Sequence, residues 1–198
     1  MSLKVSAYFA ASLDGYIARL DGSIDWLNEA SATVPQGEDC GFRAFMDSID
    51  TMVMGRKTYE QVLTFGQWPY GETPVIVLSR NPISFPANGP GVVTCSSESP
   101  RALCNRLSGD GVGHIYVDGG ATIRGFLADG LIDEITVTVI PVVLGSGISP
   151  FGSQTKDIKF TQMRTKVFDF GFVQTTYSVR ADVQLKPAAN KAARRTLC

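Results

Sequence analysis

Residues 3–11 alternate. Leu3, Val5, Ala7, Phe9 and Ala11 fall on one side, and Lys4, Ser6, Tyr8 and Ala10 on the other. A period of two predicts a strand. It ends in "SLDGYIA", a loop with Asp14-Gly15 at its tip, and "RLDGSIDWLNEA" follows with a second Asp-Gly and Trp26. Phe42, Phe45, Met46 and Ile49 then recur at i, i+3, i+4 and i+7, predicting a helix over about 38–49. "TMVMG" reads as a short buried strand, "TYEQVLTF" as a short helix, and "TPVIVLSR" and "GVVTCSS" as further strands. Ser97 is the expected N-cap of the next helix, with Glu98 and Pro100 in its first turn. "GHIYVDGG" is a fifth strand, and "ATIRGFLADG" a helix closed by Gly130.

The pattern then changes. "DEITVTVIPVVLG" is extended, residues 157–170 read as another strand, and residues 172–185 alternate from Val173 to Leu185. Strands that alternate with helices predict a parallel sheet, and three late strands in succession predict antiparallel edges. The expected class is α/β with a mixed, mainly parallel sheet of eight strands. One domain over residues 1–185 is expected, followed by a basic tail over 186–198, "KPAANKAARRTLC".

Composition narrows the function. The net charge of −1 gives no electrostatic footprint for nucleic acid or an anionic membrane. No apolar run reaches the ~20 residues of a membrane span, and the N-terminus lacks a basic leader. The four cysteines form no C-x-x-C and have no metal-ligand spacing to the single histidine, His114. Free thiols in a reducing cytoplasm are expected, with His114 at a strand entry and no metal site.

The chemistry gathers at strand ends, where open α/β sheets bind ligands. "GRKT" and "DGGAT" lead directly into helices. A helix start offers unpaired N–H groups and partial positive charge, which suit a phosphate. Gly55 leaves the backbone bare, Arg56 and Lys57 add charge, and Thr58 adds a hydroxyl. Gly119 and Gly120 repeat the bare backbone, with Ala121 and Thr122 following. Two such starts suit a pyrophosphate, and so a dinucleotide. Ser79 and Arg80, after the third strand, favour the 2′-phosphate of NADPH over NADH. Neither a G-x-G-x-x-G fingerprint nor a P-loop is present. An acidic group near 38–39 completes the set. On the helical wheel Glu38 lies about 30° from the centre of the apolar face and Asp39 about 70°. One of them either caps the helix or points inward, where burial would raise its pKa and let it relay a proton.

"MVMGRKTYE", "PVIVLSR" and "VDGGATI" stand in the order and spacing of the dihydrofolate reductase fold. "SLDGYIA", "GSIDWL" and "IPVVLGSGISPF" lean towards one branch of it. The chain resembles the C-terminal reductase domain of the riboflavin-biosynthesis RibD proteins, as a small stand-alone member. The resemblance covers residues 2 to about 183 and implies a three-layer dihydrofolate reductase-like fold that binds NADPH. Ala10 and Ile17 would flank the nicotinamide. Gly55, Arg56, Lys57 and Thr58 would take phosphates and part of the adenosine side, and Ser79 and Arg80 the 2′-phosphate. Gly119, Gly120, Ala121 and Thr122 would wrap the pyrophosphate, with a cis Gly119–Gly120 peptide. "SLDGYIARLDGS" would be a mobile loop over the site. Ungapped counting from Gly55 puts the catalytic acid at Asp39 and not Glu38. Tyr8, Trp26, Phe42 and Thr138 would face the substrate.

Two departures separate the chain from folate enzymes. Trp26 is followed by the insert "LNEASATVPQGED", and Asp118 stands before Gly119, where folate enzymes carry an aliphatic residue. The function implied is NADPH-dependent reduction of a pyrimidine, ribosylaminopyrimidine or pterin-type substrate. The alternatives are a dihydrofolate reductase proper and a non-catalytic NADP(H)-binding module. The family also implies a homodimer, with the long late strands supplying the interface.

Overall fold

The computed structural model describes residues 2–83, 85, 92–152 and 154–179. Eight strands form one sheet: β1 (Lys4–Ser12), β2 (Thr51–Gly55), β3 (Val75–Leu78), β4 (Val93–Ser96), β5 (His114–Asp118), β6 (Glu134–Ile140), β7 (Thr161–Val167) and β8 (Val173–Ser178). Among the described residues five α-helices accompany them: α1 (Asp25–Ser31), α2 (Phe42–Met46), α3 (Arg56–Val62), α4 (Pro100–Gly109) and α5 (Gly120–Ala128), with a short 3₁₀ turn over Leu63–Phe65 after α3. The spatial order is β4-β3-β2-β5-β1-β6-β8-β7. The first six strands in this order are parallel, and β8 pairs antiparallel with both β6 and β7. The mixed sheet read from the sequence is therefore present, with His114 entering β5.

Both faces of the central strands are covered, as parallel sheets require. Leu3, Val5, Ala7, Phe9 and Ala11 all point to one core, with Ile115, Val117, Ile123 and Phe126. On the other face Met52, Met54, Val75 and Val77 pack on Tyr59 and Tyr116. A third cluster joins Trp26 to Ile140, Phe168 and Phe172. Towards β8 the sheet turns polar inside. Thr136 and Thr176 are buried and their hydroxyls pair at 3.0 Å, so neither is left unsatisfied.

Several boundaries differ from those the sequence predicts. The helix expected over 38–49 is only Phe42–Met46, because Cys40 (φ 54) and Gly41 (φ 84) adopt left-handed backbone just before it. Asp39 instead caps the turn, accepting from the Gly41 and Arg43 amides at 2.8 and 3.0 Å. The N-cap of α4 is Ser99 and not Ser97. Its hydroxyl accepts from the Ala102 amide, and Pro100 takes the first helical position, where a missing N–H costs nothing. The Gly119–Gly120 peptide is trans, not cis. Helix α1 has no counterpart among the predicted elements. It is seven residues long with no side-chain cap, and Trp26 is its buried residue. The strand expected over 157–170 is confined to Thr161–Val167, and β6 stops at Ile140 before Pro141. The end of the late alternation and the basic tail lie outside the described residues.

Phe126 on α5 is fully buried at the centre of the first core. Phe126→Ala should cost about 3–5 kcal/mol, read as a lower urea midpoint at an unchanged slope.

Candidate active site

Two strand-to-helix junctions lie side by side because β2 and β5 are neighbours. Glycine lets them touch. A Cβ on Gly119 would stand 2.1 Å from Thr58 Oγ1, and one on Gly55 would stand 3.1 Å from Thr122 Oγ1. Gly119 also has φ +89, a backbone that L side chains rarely adopt. The free N–H groups at the start of α5 thus open beside Thr58 and Lys57, in a cleft of about 1060 Å³ that all four of Lys57, Thr58, Gly119 and Gly120 line.

Next to that glycine pair, in the same cleft, sits Asp118, the last residue of β5. Its Oδ1 accepts from the Gly119 amide at 2.7 Å. Burial pushes its carboxyl up to about 6, against the lowering effect of the Gly119 N–H and the Tyr116 hydroxyl. Tyr70 and Tyr116 share the cleft with it. Both phenols are raised, first by burial and next by the charge of Asp118.

The other end of the cleft is built on β1, β6 and β8. Tyr8 Oη donates to the Cys40 carbonyl at 2.5 Å. Gln174 Nε2 lies 2.8 Å from Tyr8 Oη, 2.9 Å from the Cys40 carbonyl and 2.9 Å from Thr138 Oγ1. Burial lifts the Tyr8 phenol to about 12, so it stays a neutral donor. Phe42 and Phe45 pack on Tyr8 with ring centroids 5.7 and 4.8 Å away. Leu27, Val34, Ile140 and Phe172 add apolar wall.

The predicted residues divide accordingly. Tyr8, Ala10, Ile17, Asp39, Phe42, Lys57, Thr58, Gly119, Gly120 and Thr138 meet in this one cleft. Gly55 and Thr122 stand behind it, each packed on the other, and Ala121 follows them on α5. Arg56 pairs with Glu60 at 2.7 Å. Arg80 is exposed after β3, and the Ser79 hydroxyl closes a turn with Asn81. Trp26 is buried against Ile140, Phe168 and Phe172, outside the lining. Asp39 lines the cleft but does not match the expectation of a raised, inward-pointing acid. It is exposed, and the Arg43 and Gly41 amides hold its carboxyl below the usual range. The raised carboxylate is Asp118. Its position between a buried strand and a bare glycine pair is readable from "VDGG", although the glycines are the louder signal there. Gln174 has no sequence signal beyond its place in an alternating strand.

The loop expected to be mobile is tied down over residues 12–18. The Asp14 carboxylate accepts from the Leu144 and Gly145 amides, at 3.1 and 2.7 Å. Leu13 donates to the Val142 carbonyl, and Ala18 and Ile148 form an antiparallel bridge.

The chain is similar to known proteins over most of its length. YwjB of Bacillus subtilis strain 168, an uncharacterized protein, is 39% identical over 184 residues, covering 91% of this chain and all of its own. YyaP of the same organism, also uncharacterized, is 29% identical over 180 residues, covering 85% of this chain and 90% of its own. A solved Shewanella sp. PV-4 protein, named for riboflavin biosynthesis, superimposes with a TM-score of 0.83 at 36% identity, over 90% of this chain and 99% of that one. A Thermotoga maritima diaminohydroxyphosphoribosylaminopyrimidine deaminase/5-amino-6-(5-phosphoribosylamino)uracil reductase shares the fold at TM-score 0.66 and 16% identity, with the match spanning 57% of that longer chain. The RibD C-terminal domain model matches residues 3–173, and the chain belongs to that family.

Proposed function

We propose that the chain is an NADPH-dependent reductase that delivers hydride to a C=N or C=O carbon of a pyrimidine, ribosylaminopyrimidine or pterin-type ring. Family membership supports an oxidoreductase in the broad sense. The observation that carries the finer reading is Asp118. A carboxyl lifted to about 6 stands directly before the bare Gly119–Gly120 start of α5, inside the cleft. A dinucleotide fits this chain, because the close packing that Gly119 and Gly120 permit sets the start of α5, with its unpaired N–H groups, in the cleft beside Lys57 and Thr58. Lys57, Thr58, Gly119 and Gly120 would hold its phosphates, Ser79 and Arg80 its 2′-phosphate, and Ala10 and Ile17 its reactive ring. When bound, it supplies the hydride.

The chain's own residues do the rest. Asp118, half-protonated near pH 6, is the group that holds a proton for the acceptor. Asp39, already committed to two amides, is not. Tyr8, Gln174 and Thr138 orient the substrate edge, and the apolar wall excludes water. The reading also carries the cytoplasmic homodimer, which would run at twice 21.3 kDa in light scattering.

NADPH should quench tryptophan fluorescence and raise Tm more than NADH does. Gly119→Ala should remove most of both responses, while Gly109→Ala, in open space, should leave them intact. Equal or absent responses to the two cofactors in the wild type would overturn the cofactor assignment.

With an active substrate from a panel of ribosylaminopyrimidines and dihydropterins, single-turnover NADPH oxidation should fall as pH rises through about 6. Asp118→Asn should be about 10²–10⁴-fold slower, without that limb. A binding module without turnover predicts no oxidation with any of them.

Asp118 also gives a test that needs no substrate. Folding raises its pKa from 3.8 to about 6, so the folded state disfavours the ionised form. That penalty is absent below about pH 4 and fully present above about 6. Asp118→Asn should therefore gain Tm relative to wild type as pH rises from about 4 to about 7, and a gap that stays constant would refute the assignment.

A further inference from the structure

Residues 142–152 are packed between two parts of the cleft that are distant in sequence. On one side lies the loop after β1. The Ile17 amide donates to the Ile148 carbonyl at 2.9 Å, and the Ile148 amide to the Ala18 carbonyl at 2.8 Å. On the other side lies α5, where Arg124 Nη1 donates to the Ser149 carbonyl at 2.7 Å. Three glycines permit this sandwich. A Cβ on Gly147 would stand 2.4 Å from the Ala18 carbonyl, one on Gly152 2.1 Å from Arg124 Cδ, and one on Gly120 3.0 Å from Ile148 Cγ2. Arg124 sits one turn after Gly120, so the helix end that lines the cleft is joined through one guanidinium to the wall opposite. Asp14 fastens the far end of the same segment through the Leu144 and Gly145 amides.

We propose that Arg124 and Asp14 are positioning residues, which strap the Ile17–Ala18 wall onto α5 so that the wall and the Gly119–Gly120 cradle move as one body. Neither side chain lines the cleft. The loop after β1 is then a fixed wall and not a lid, and a ligand that orders the start of α5 also orders Ile17. The strap stands on its own geometry; its service to hydride transfer rests on the reductase reading above. Coupling between sites is carried by contiguous packed and hydrogen-bonded segments of this kind.

Hydrogen exchange of the full chain tests this in two arms. Without cofactor, the Ile17 and Ile148 amides should be protected in the wild type. Arg124→Met and Asp14→Ala should speed both by about tenfold or more, leaving the core amide of Ile115 unchanged. Arg124→Lys, which keeps a donor for the Ser149 carbonyl, should restore protection to within about threefold. Unprotected amides in the wild type, or no change in the variants, overturn the strap. In the second arm, NADPH should slow both amides further in the wild type and bind about tenfold more weakly to Arg124→Met. Wild-type affinity in that variant overturns the positioning role. Failure of NADPH to bind the wild type overturns the reductase reading instead, and the first arm tells the two failures apart.

Discussion

Thr58 occupies the space where a side chain on Gly119 would stand. That contact sets the geometry of the whole site. It brings the ends of β2 and β5 close enough for two helices to start side by side, and it leaves α5's first N–H groups uncovered. A residue with a Cβ at 119 would run into Thr58 and push the junctions apart. Packing between the two junctions therefore decides where the start of α5 opens. The sheet contributes as well, because Met54 and Asp118 are register partners and bring both junctions to the same height.

Asp118 follows from that arrangement. A residue at the end of a fully covered parallel strand, one position before the backbone turns away, has little water around it. Its carboxyl is raised by burial although the Gly119 amide and the Tyr116 hydroxyl both favour the charged form. Asp39 is the opposite case. Both are aspartates in the same cleft wall, yet Asp39 is exposed and gives its two oxygens to backbone amides, so its carboxyl goes down. Environment, not residue type, assigns which of the two can hold a proton near neutral pH.

The eight strands were legible because period two and short apolar runs between turn signals survive any detail of packing. The glycine junctions were legible because a strand end that meets a neighbouring helix start at close range calls for a residue without a Cβ. What escaped the sequence depends on three-dimensional context. The helix over 38–49 looked continuous because Phe42, Phe45 and Met46 do share a face, but nothing in a wheel announces that Cys40 takes a left-handed backbone. Ser96, Ser97 and Ser99 are equivalent as caps in a string, and the choice fell to Ser99 because Pro100 fits only after it. The ion pair that Arg56 makes with Glu60, one turn on, was not read from the sequence, although the i, i+4 spacing permits it. The wheel that placed Glu38 inward assumed a helix that is not there.

The width of the site follows from strand order. Asp118 ends β5, Tyr8 and Ala10 lie on β1, and Thr138 lies on β6 beside Ala10. Adjacent strands are about 4.8 Å apart, so Asp118 and Thr138 are separated by about 10 Å across the sheet. Gln174 donates to the Thr138 hydroxyl, which leaves the threonine its own proton to offer into the cleft. A flat ring between these positions would meet a carboxyl that can give or hold a proton at one edge and a hydroxyl donor at the other. Tyr8 and Phe42 supply the apolar surface between. On the proposed reading, this spacing selects a heterocycle with acceptors on opposite edges, and the polar pair sets its orientation before any charged tail is considered.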